Sequence, residues 1–168
     1  MMRPRVIVLA FLIVAMAGPS GIQAQQPAPW RPTVMTMNGM VAAGHPMTAE
    51  VGLRVLQQGG NAIDAAIAAW FTQGQVEPGS TGLGGDMFLL YYDAATNRVY
   101  ALNGSGRAGS ARTLDDLKHE GLEEIPSTGP LSVSVPGAVG GWAEALARFG
   151  SISWANALEP AVQLARDG

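Results

Sequence analysis

Residues Ala62–Phe71 (AIDAAIAAWF) constrain the fold of this chain more than any other stretch. Wound as a helix, they are apolar on every side except at Asp64, so no face is left for water. Such a helix has to lie inside a core supplied by other elements. Ten residues are too few to cross a bilayer as a helix. Asn61 stands at its N-cap, and Asp64, three residues on, completes a variant of the capping box. The many alanines let neighbouring elements approach closely.

A chain that buries such a helix is globular, and the composition agrees. Hydrophobic residues make up 48% of the 168, too many for a disordered protein. The length suits one domain. The 22 glycines and 11 prolines follow no fixed period, which excludes collagen-like and repeat architectures. There is no cysteine, hence no disulfide scaffold, thiolate metal site or cysteine nucleophile in this stretch. The formal net charge is −3, Lys118 is the single lysine, and no basic run exists. A nucleic-acid partner would require a positive footprint, so that class is set aside.

Residues 1–24 read as a secretory signal peptide. Arg3 and Arg5 form a positive start, Val6–Ala17 is an unbroken apolar run, Gly18-Pro19-Ser20 breaks it, and Ile22-Gln23-Ala24 ends in a small residue suited to cleavage. The run spans about 18 Å as a helix, against a hydrocarbon core of roughly 30 Å. No stable membrane insertion is expected; an uncleaved N-terminal anchor is the alternative. The protein is expected to be exported, periplasmic or secreted. Residues 25–34 read as an extended tether, and 35–168 as the folded part.

Within that part, Thr36–Ala43 reads as a short strand, and Thr48 as the N-cap of a first helix to Gln58, stopped by Gly59-Gly60. After the apolar helix comes a glycine-rich loop, Glu77–Asp86. Met87–Tyr92 and Val99–Asn103 read as a β-hairpin turned by Asp93–Arg98. Both strands are apolar on both faces, which predicts a sheet covered on both sides in an α+β or layered α/β architecture. A short helix begins near Thr113, and Ser132–Pro136 is extended. Gly137–Phe149 is a helix with Val139, Trp142, Leu146 and Phe149 on one side. Ser153 caps a last helix repeating Trp154, Leu158, Val162 and Ala165, with Pro160 at a new first turn or a kink.

Self-contained catalytic motifs are missing: there is no H-E-x-x-H, no Walker loop and no G-x-S-x-G. Gly82-Leu83-Gly84-Gly85 suits either an anion cradle or the close approach of the loop to another segment. His45, before Pro46 in a turn, reads as structural; His119, between Lys118 and Glu120, reads as solvated. Arg107 follows an apolar strand in a glycine-flanked loop. It suits either a bidentate grip on a carboxylate or an ordinary salt bridge. No serine, threonine or carboxylate pair has a visible activating partner.

Six blocks, in order, nonetheless carry a pattern. They are Gly39-Met40-Val41-Ala42-Ala43-Gly44-His45-Pro46; Gly59-Gly60-Asn61-Ala62-Ile63-Asp64-Ala65-Ala66; Val76-Glu77-Pro78 with Gly82-Leu83-Gly84-Gly85; Phe88-Leu89-Leu90-Tyr91-Tyr92-Asp93; Val135-Pro136-Gly137; and Trp154-Ala155 leading to Glu159-Pro160-Ala161. Together they resemble the gamma-glutamyltransferase (gamma-glutamyltranspeptidase) family, in the N-terminal part of its large subunit.

The resemblance implies an N-terminal-nucleophile hydrolase fold, an αββα sandwich of which this chain is a partial, truncated piece. It implies a precursor that cuts itself into large and small subunits. A threonine freed at the start of the small subunit attacks gamma-glutamyl amides such as glutathione. The gamma-glutamyl-enzyme passes its acyl group to water or an acceptor amine. No cofactor and no metal is implied. The implied partners are a small gamma-glutamyl substrate, the remainder of the large subunit and the small subunit. The nucleophile belongs to a later region, so no catalytic residue is carried over, and neither Thr113 nor Thr128 fills that place. Arg107 is the one site residue carried over, as the group binding the substrate carboxylate. Typical members begin an Arg-Glu-x-Ala-Pro run after the strand. Here the stretch is Asn103-Gly104-Ser105-Gly106-Arg107-Ala108-Gly109, so Ser105 takes the arginine's place and Arg107 lies two residues later. That departure resembles acylase-like members and leaves the acyl group open. The alternatives are a related amide hydrolase of the cephalosporin acylase type, and a non-catalytic remnant or binding module.

Overall fold

The computed structural model describes residues 33–107, 109–110 and 113–168. The signal peptide and nearly all of the tether lie outside the described residues. The elements all belong to the unit Thr36–Gly168. In order they are α1 (Pro46–Gln57), α2 (Ala62–Val76), β1 (Phe88–Asp93), β2 (Arg98–Asn103), α3 (Leu114–His119), a 3-10 turn at Pro130–Ser132, α4 (Ala138–Phe149) and α5 (Trp154–Asp167).

The apolar helix α2 forms the centre. Ile63, Ala65, Ile67, Ala68 and Phe71 are all buried, and α1, α4 and α5 pack against it. Its other neighbours in the core include Met87, Trp142, Leu146, Ala157 and Ala161. Alanines on three helices (Ala68, Ala145, Ala157) are wholly buried, which is how the backbones come close. The helix runs five residues beyond Phe71. Thr72 is buried there because its hydroxyl donates to the Ala68 carbonyl at 2.9 Å and needs no water.

The capping box is present as expected. Asn61 Oδ1 accepts from the N–H groups of Ile63 and Asp64, and Asp64 Oδ2 accepts from Asn61 N at 2.9 Å. Asp64 also reaches the link between α4 and α5. It accepts from Ser151 N at 2.9 Å, Ser151 Oγ at 2.5 Å and Ile152 N at 3.4 Å, while Asn61 Nδ2 donates to the Phe149 carbonyl at 2.6 Å. Burial raises the Asp64 pKa, but the bonds from Ser151 Oγ and from the Asn61, Ser151 and Ile152 amides outweigh it. The carboxyl is held below its ordinary value.

Four local expectations are corrected. Thr36–Ala43 is not a strand: Thr36 Oγ1 takes the Asn38 N–H, and the segment joins no ladder among the described residues. The cap of α1 is His45, whose Nδ1 accepts from Met47 N at 3.2 Å, with Pro46 at the first helical position. Thr48 lies inside the helix, and its hydroxyl is buried without a hydrogen-bond partner among the described residues. Pro160 does not open a new helix: α5 is one element that contains it, which corrects the new first turn and leaves the kink untouched. On α5 it is Ala157 and Ala161 that are buried, whereas Val162 and Ala165 are exposed.

The hairpin is antiparallel with register Phe88↔Asn103, Leu90↔Ala101 and Tyr92↔Val99. Leu89, Tyr91 and Leu102 turn inward, and Tyr91 and Tyr100 meet Phe149 of α4 at ring-centroid distances of 5.0 and 4.8 Å. The opposite face is not covered by any described residue: Phe88 and Leu90 are 70% and 78% exposed, and Tyr92 and Val99 also face out. Among the described residues the sheet is therefore two-stranded and covered on one side.

Candidate functional site

Three segments meet where the hairpin ends. The ladder is extended by one bond, Gly104 N to the Met87 carbonyl at 2.8 Å. Asn103 Oδ1 then accepts from Ser105 N at 2.9 Å, an Asx turn that leads the chain out of β2. Across the gap, the Gly85 carbonyl accepts from Gly137 N at 3.2 Å and from Ala138 N at 3.0 Å. Those N–H groups open α4, which has no side-chain cap, so the glycine-rich loop caps it from outside. Of Gly82–Gly85 only Gly85 makes this approach, through its carbonyl; a methyl group on Gly82 or Gly84 would meet no described atom within 4 Å.

The segments touch backbone to backbone. A methyl group on Gly106 would overlap the Val135 carbonyl, and one on Gly137 would overlap the Gly104 carbonyl. Beneath them Met87 is buried, with its side chain against Gly104 and Gly141. Only glycine fits at these crossings, because any side chain would push the loops apart.

Arg107 stands next to this crossing, in the loop after β2. It is exposed, and no described carboxylate pairs with it. Its planar fork is free to take an oxyanion bidentately. Gly104, Gly106 and Gly109 have the spacing of a dinucleotide-binding fingerprint. Yet β2 is the return arm of a hairpin, and no helix opens at Gly109, so the βαβ setting of that motif is missing.

The other candidates resolve as structural. His45 caps α1, His119 is exposed on the last turn of α3, and Asp64 has both oxygens occupied by the cap and the Ser151 link. Thr113 caps α3 through Asp116 N at 3.2 Å. No group of three or more potential metal ligands occurs among the described residues. No described helix is long and apolar enough to cross a membrane.

Two hollows exist elsewhere. One of about 740 Å³ lies between α1 and α5, beside the Arg54–Glu50 pair; another of about 220 Å³ lies between α2, α5 and Leu83. Neither is lined by the Gly104–Arg107 loop. Asp86, whose carboxylate reaches Gly106, was not apparent as a site residue from the sequence. Its partner is twenty positions away, and no local spacing signals it.

Known proteins are similar to this chain in sequence and in fold. Residues 48–168 match the family described as gamma-glutamyltranspeptidase. The chain is 34% identical to the glutathione hydrolase proenzyme of Bacillus subtilis, an alignment covering 95% of this chain and 29% of that protein. The gamma-glutamyltranspeptidase of Helicobacter pylori superposes with a TM-score of 0.72 at 31% identity, over 82% of this chain and 40% of that one. The cephalosporin acylase of Bacillus halodurans superposes with a TM-score of 0.74 at 43% identity, over 84% of this chain and 26% of that one. The chain spans 29% of the length of that Bacillus subtilis proenzyme and 20% of another curated relative it matches, a scoloptoxin of Scolopendra dehaani.

Proposed function

The chain belongs to the gamma-glutamyltranspeptidase family, and on that premise we propose that it forms the N-terminal part of the large subunit of an exported gamma-glutamyltransferase. The whole enzyme cleaves gamma-glutamyl amides such as glutathione. A threonine at the start of the small subunit, outside these 168 residues, supplies the nucleophilic oxygen, and its own amine takes the proton. The threonine oxygen bonds to the gamma-carbonyl carbon as the amine product leaves with a proton. Water or an acceptor amine then displaces threonine and regenerates the enzyme. The residues described here supply the hairpin, the helices packed on it and the arginine loop.

In this reading Arg107 holds the substrate α-carboxylate. Its support is the exposed guanidinium, unpaired among the described residues, in a loop braced by backbone contacts on two sides. The remaining walls of the substrate pocket come from the rest of the large subunit and from the small subunit, which fits the absence of the arginine loop from both hollows. Export rests on the pattern of Met1–Ala24.

The single observation that carries the function is the family match over residues 48–168, which includes both strands and the arginine loop. A second reading, an amide hydrolase of the cephalosporin acylase type, is favoured by the 43% identity to the Bacillus halodurans enzyme and by the Asn103–Gly109 stretch. Purified full-length protein separates them. Release of the anilide product from a gamma-glutamyl anilide supports the transferase. Turnover of a cephalosporin side-chain amide with none of the anilide supports the acylase.

A further inference from the structure

We propose that Asp86 is a positioning residue for Arg107. The inference rests on the reading of Arg107 as the carboxylate-binding group, and it names what holds that group in place.

The hairpin ladder stops supporting the chain at Gly104. From there to Arg107 the backbone has two N–H groups to satisfy. That of Ser105 goes to Asn103, within the same turn. That of Gly106, the residue immediately before Arg107, goes to Asp86 Oδ1 at 3.3 Å. Asn103 is the loop's own neighbour in sequence, whereas Asp86 reaches the loop from a segment twenty positions away. On its other side Gly106 lies against the Val135 carbonyl, so closely that a methyl group there would overlap it. Gly106 is half-buried and the bond to Asp86 is open to solvent, so its loss is worth no more than a single exposed hydrogen bond.

Asp86 is itself well placed to act as a bracket. Its neighbour Gly85 is bound to the first turn of α4 through two N–H groups, and its other neighbour Met87 is buried under Gly104 and Gly141. A carboxylate fixed between two anchored residues transmits the rigidity of the α4–hairpin junction to the peptide that carries Arg107. The Asp86 side chain is exposed, so its removal leaves the core intact. What changes is the aim of the guanidinium, and a displacement of a binding group is paid in substrate affinity.

The test is a kinetic cycle in the full-length enzyme with a gamma-glutamyl anilide. Asp86→Ala raises KM about 2- to 10-fold, the size expected for one hydrogen bond, with kcat changed less than twofold and the melting temperature unchanged. Asp86→Asn keeps an acceptor oxygen and recovers most of that loss. In an Arg107→Ala background, Asp86→Ala adds nothing further. An Asp86→Ala enzyme with parental KM overturns the inference while Arg107 stands, provided Arg107→Ala alone raises KM. Parental KM in Arg107→Ala overturns the reading of Arg107 itself. Full additivity of the two changes, or an Asp86→Asn enzyme as impaired as Asp86→Ala, shows that Asp86 acts by some route other than this hydrogen bond and also overturns the inference.

Discussion

Arg107 and Asp64 are both charged, and their surroundings give them opposite tasks. Arg107 is exposed and unpaired among the described residues, so its hydrogen-bonding capacity is available to a ligand. A charge-assisted bond of this kind contributes about 1.5–3 kcal/mol. Arg107→Ala is therefore expected to raise KM for a gamma-glutamyl substrate about 10- to 100-fold with kcat little changed, measured by steady-state kinetics. Asp64 is fully buried, and both its oxygens are taken. Asp64→Ala strands the N–H groups of Asn61, Ser151 and Ile152 and is expected to cost about 3 kcal/mol, read from the urea midpoint of the full-length protein. Its folded pKa lies below the unfolded value of about 3.9, so its contribution is complete above that pH. The contribution is lost as pH falls through the lower folded value. The parent's stability should drop in that acid window, and the Asp64→Ala protein should lack that part of the drop. The local half of the Asp64 role, the cap on α2, was legible from the spacing Asn61–Asp64. The half that reaches Ser151 spans 87 positions and leaves no trace in local pattern.

At the scale of elements, the hairpin is the one whose surroundings differ from expectation. Its inner face meets α4 through Tyr91, Tyr100 and Phe149, and its outer face bears the exposed Phe88, Leu90, Tyr92 and Val99, which no described element covers. The apolar residues on both faces were readable as a sheet with two covers, and one cover is in place. In the proposed sandwich the second layer packs on this outer face. Leu90→Lys should then raise the soluble yield of the 168-residue chain, because it breaks an exposed apolar strip. The same change should lower the melting temperature of the full-length protein. A full-length melting temperature unaffected by Leu90→Lys would show that this face stays in water. The helices were read well because caps and apolar faces are local: Asn61, Ser153 and Thr113 cap as their residue types suggest. The reading failed where partners decide. Thr36–Ala43 has strand-like residues but no pairing strand among the described residues, and His45 outcompetes Thr48 because Pro46 sets the first helical turn.

For the molecule as a whole, one junction matters most. The glycine-rich loop, the end of β2 and the start of α4 cross at Gly85, Gly104, Gly106 and Gly137, and this crossing presents Arg107 beside Asp86. The family was legible from six ordered blocks, several of which are this junction written out in sequence. The junction's geometry was not, because it depends on contacts between segments far apart in the chain, such as Gly85 with Gly137 and Gly106 with Val135. Nothing in the described residues supplies an activated nucleophile, so the 168-residue chain by itself is expected to show no turnover. The central claim concerns the full-length protein and is tested most directly by incubating it with a gamma-glutamyl anilide, with and without an acceptor amine. The account predicts steady release of the aniline, faster with the acceptor, and a gamma-glutamyl product on the acceptor. An intact, folded full-length protein that releases no aniline, yet hydrolyses a cephalosporin side-chain amide, would contradict it.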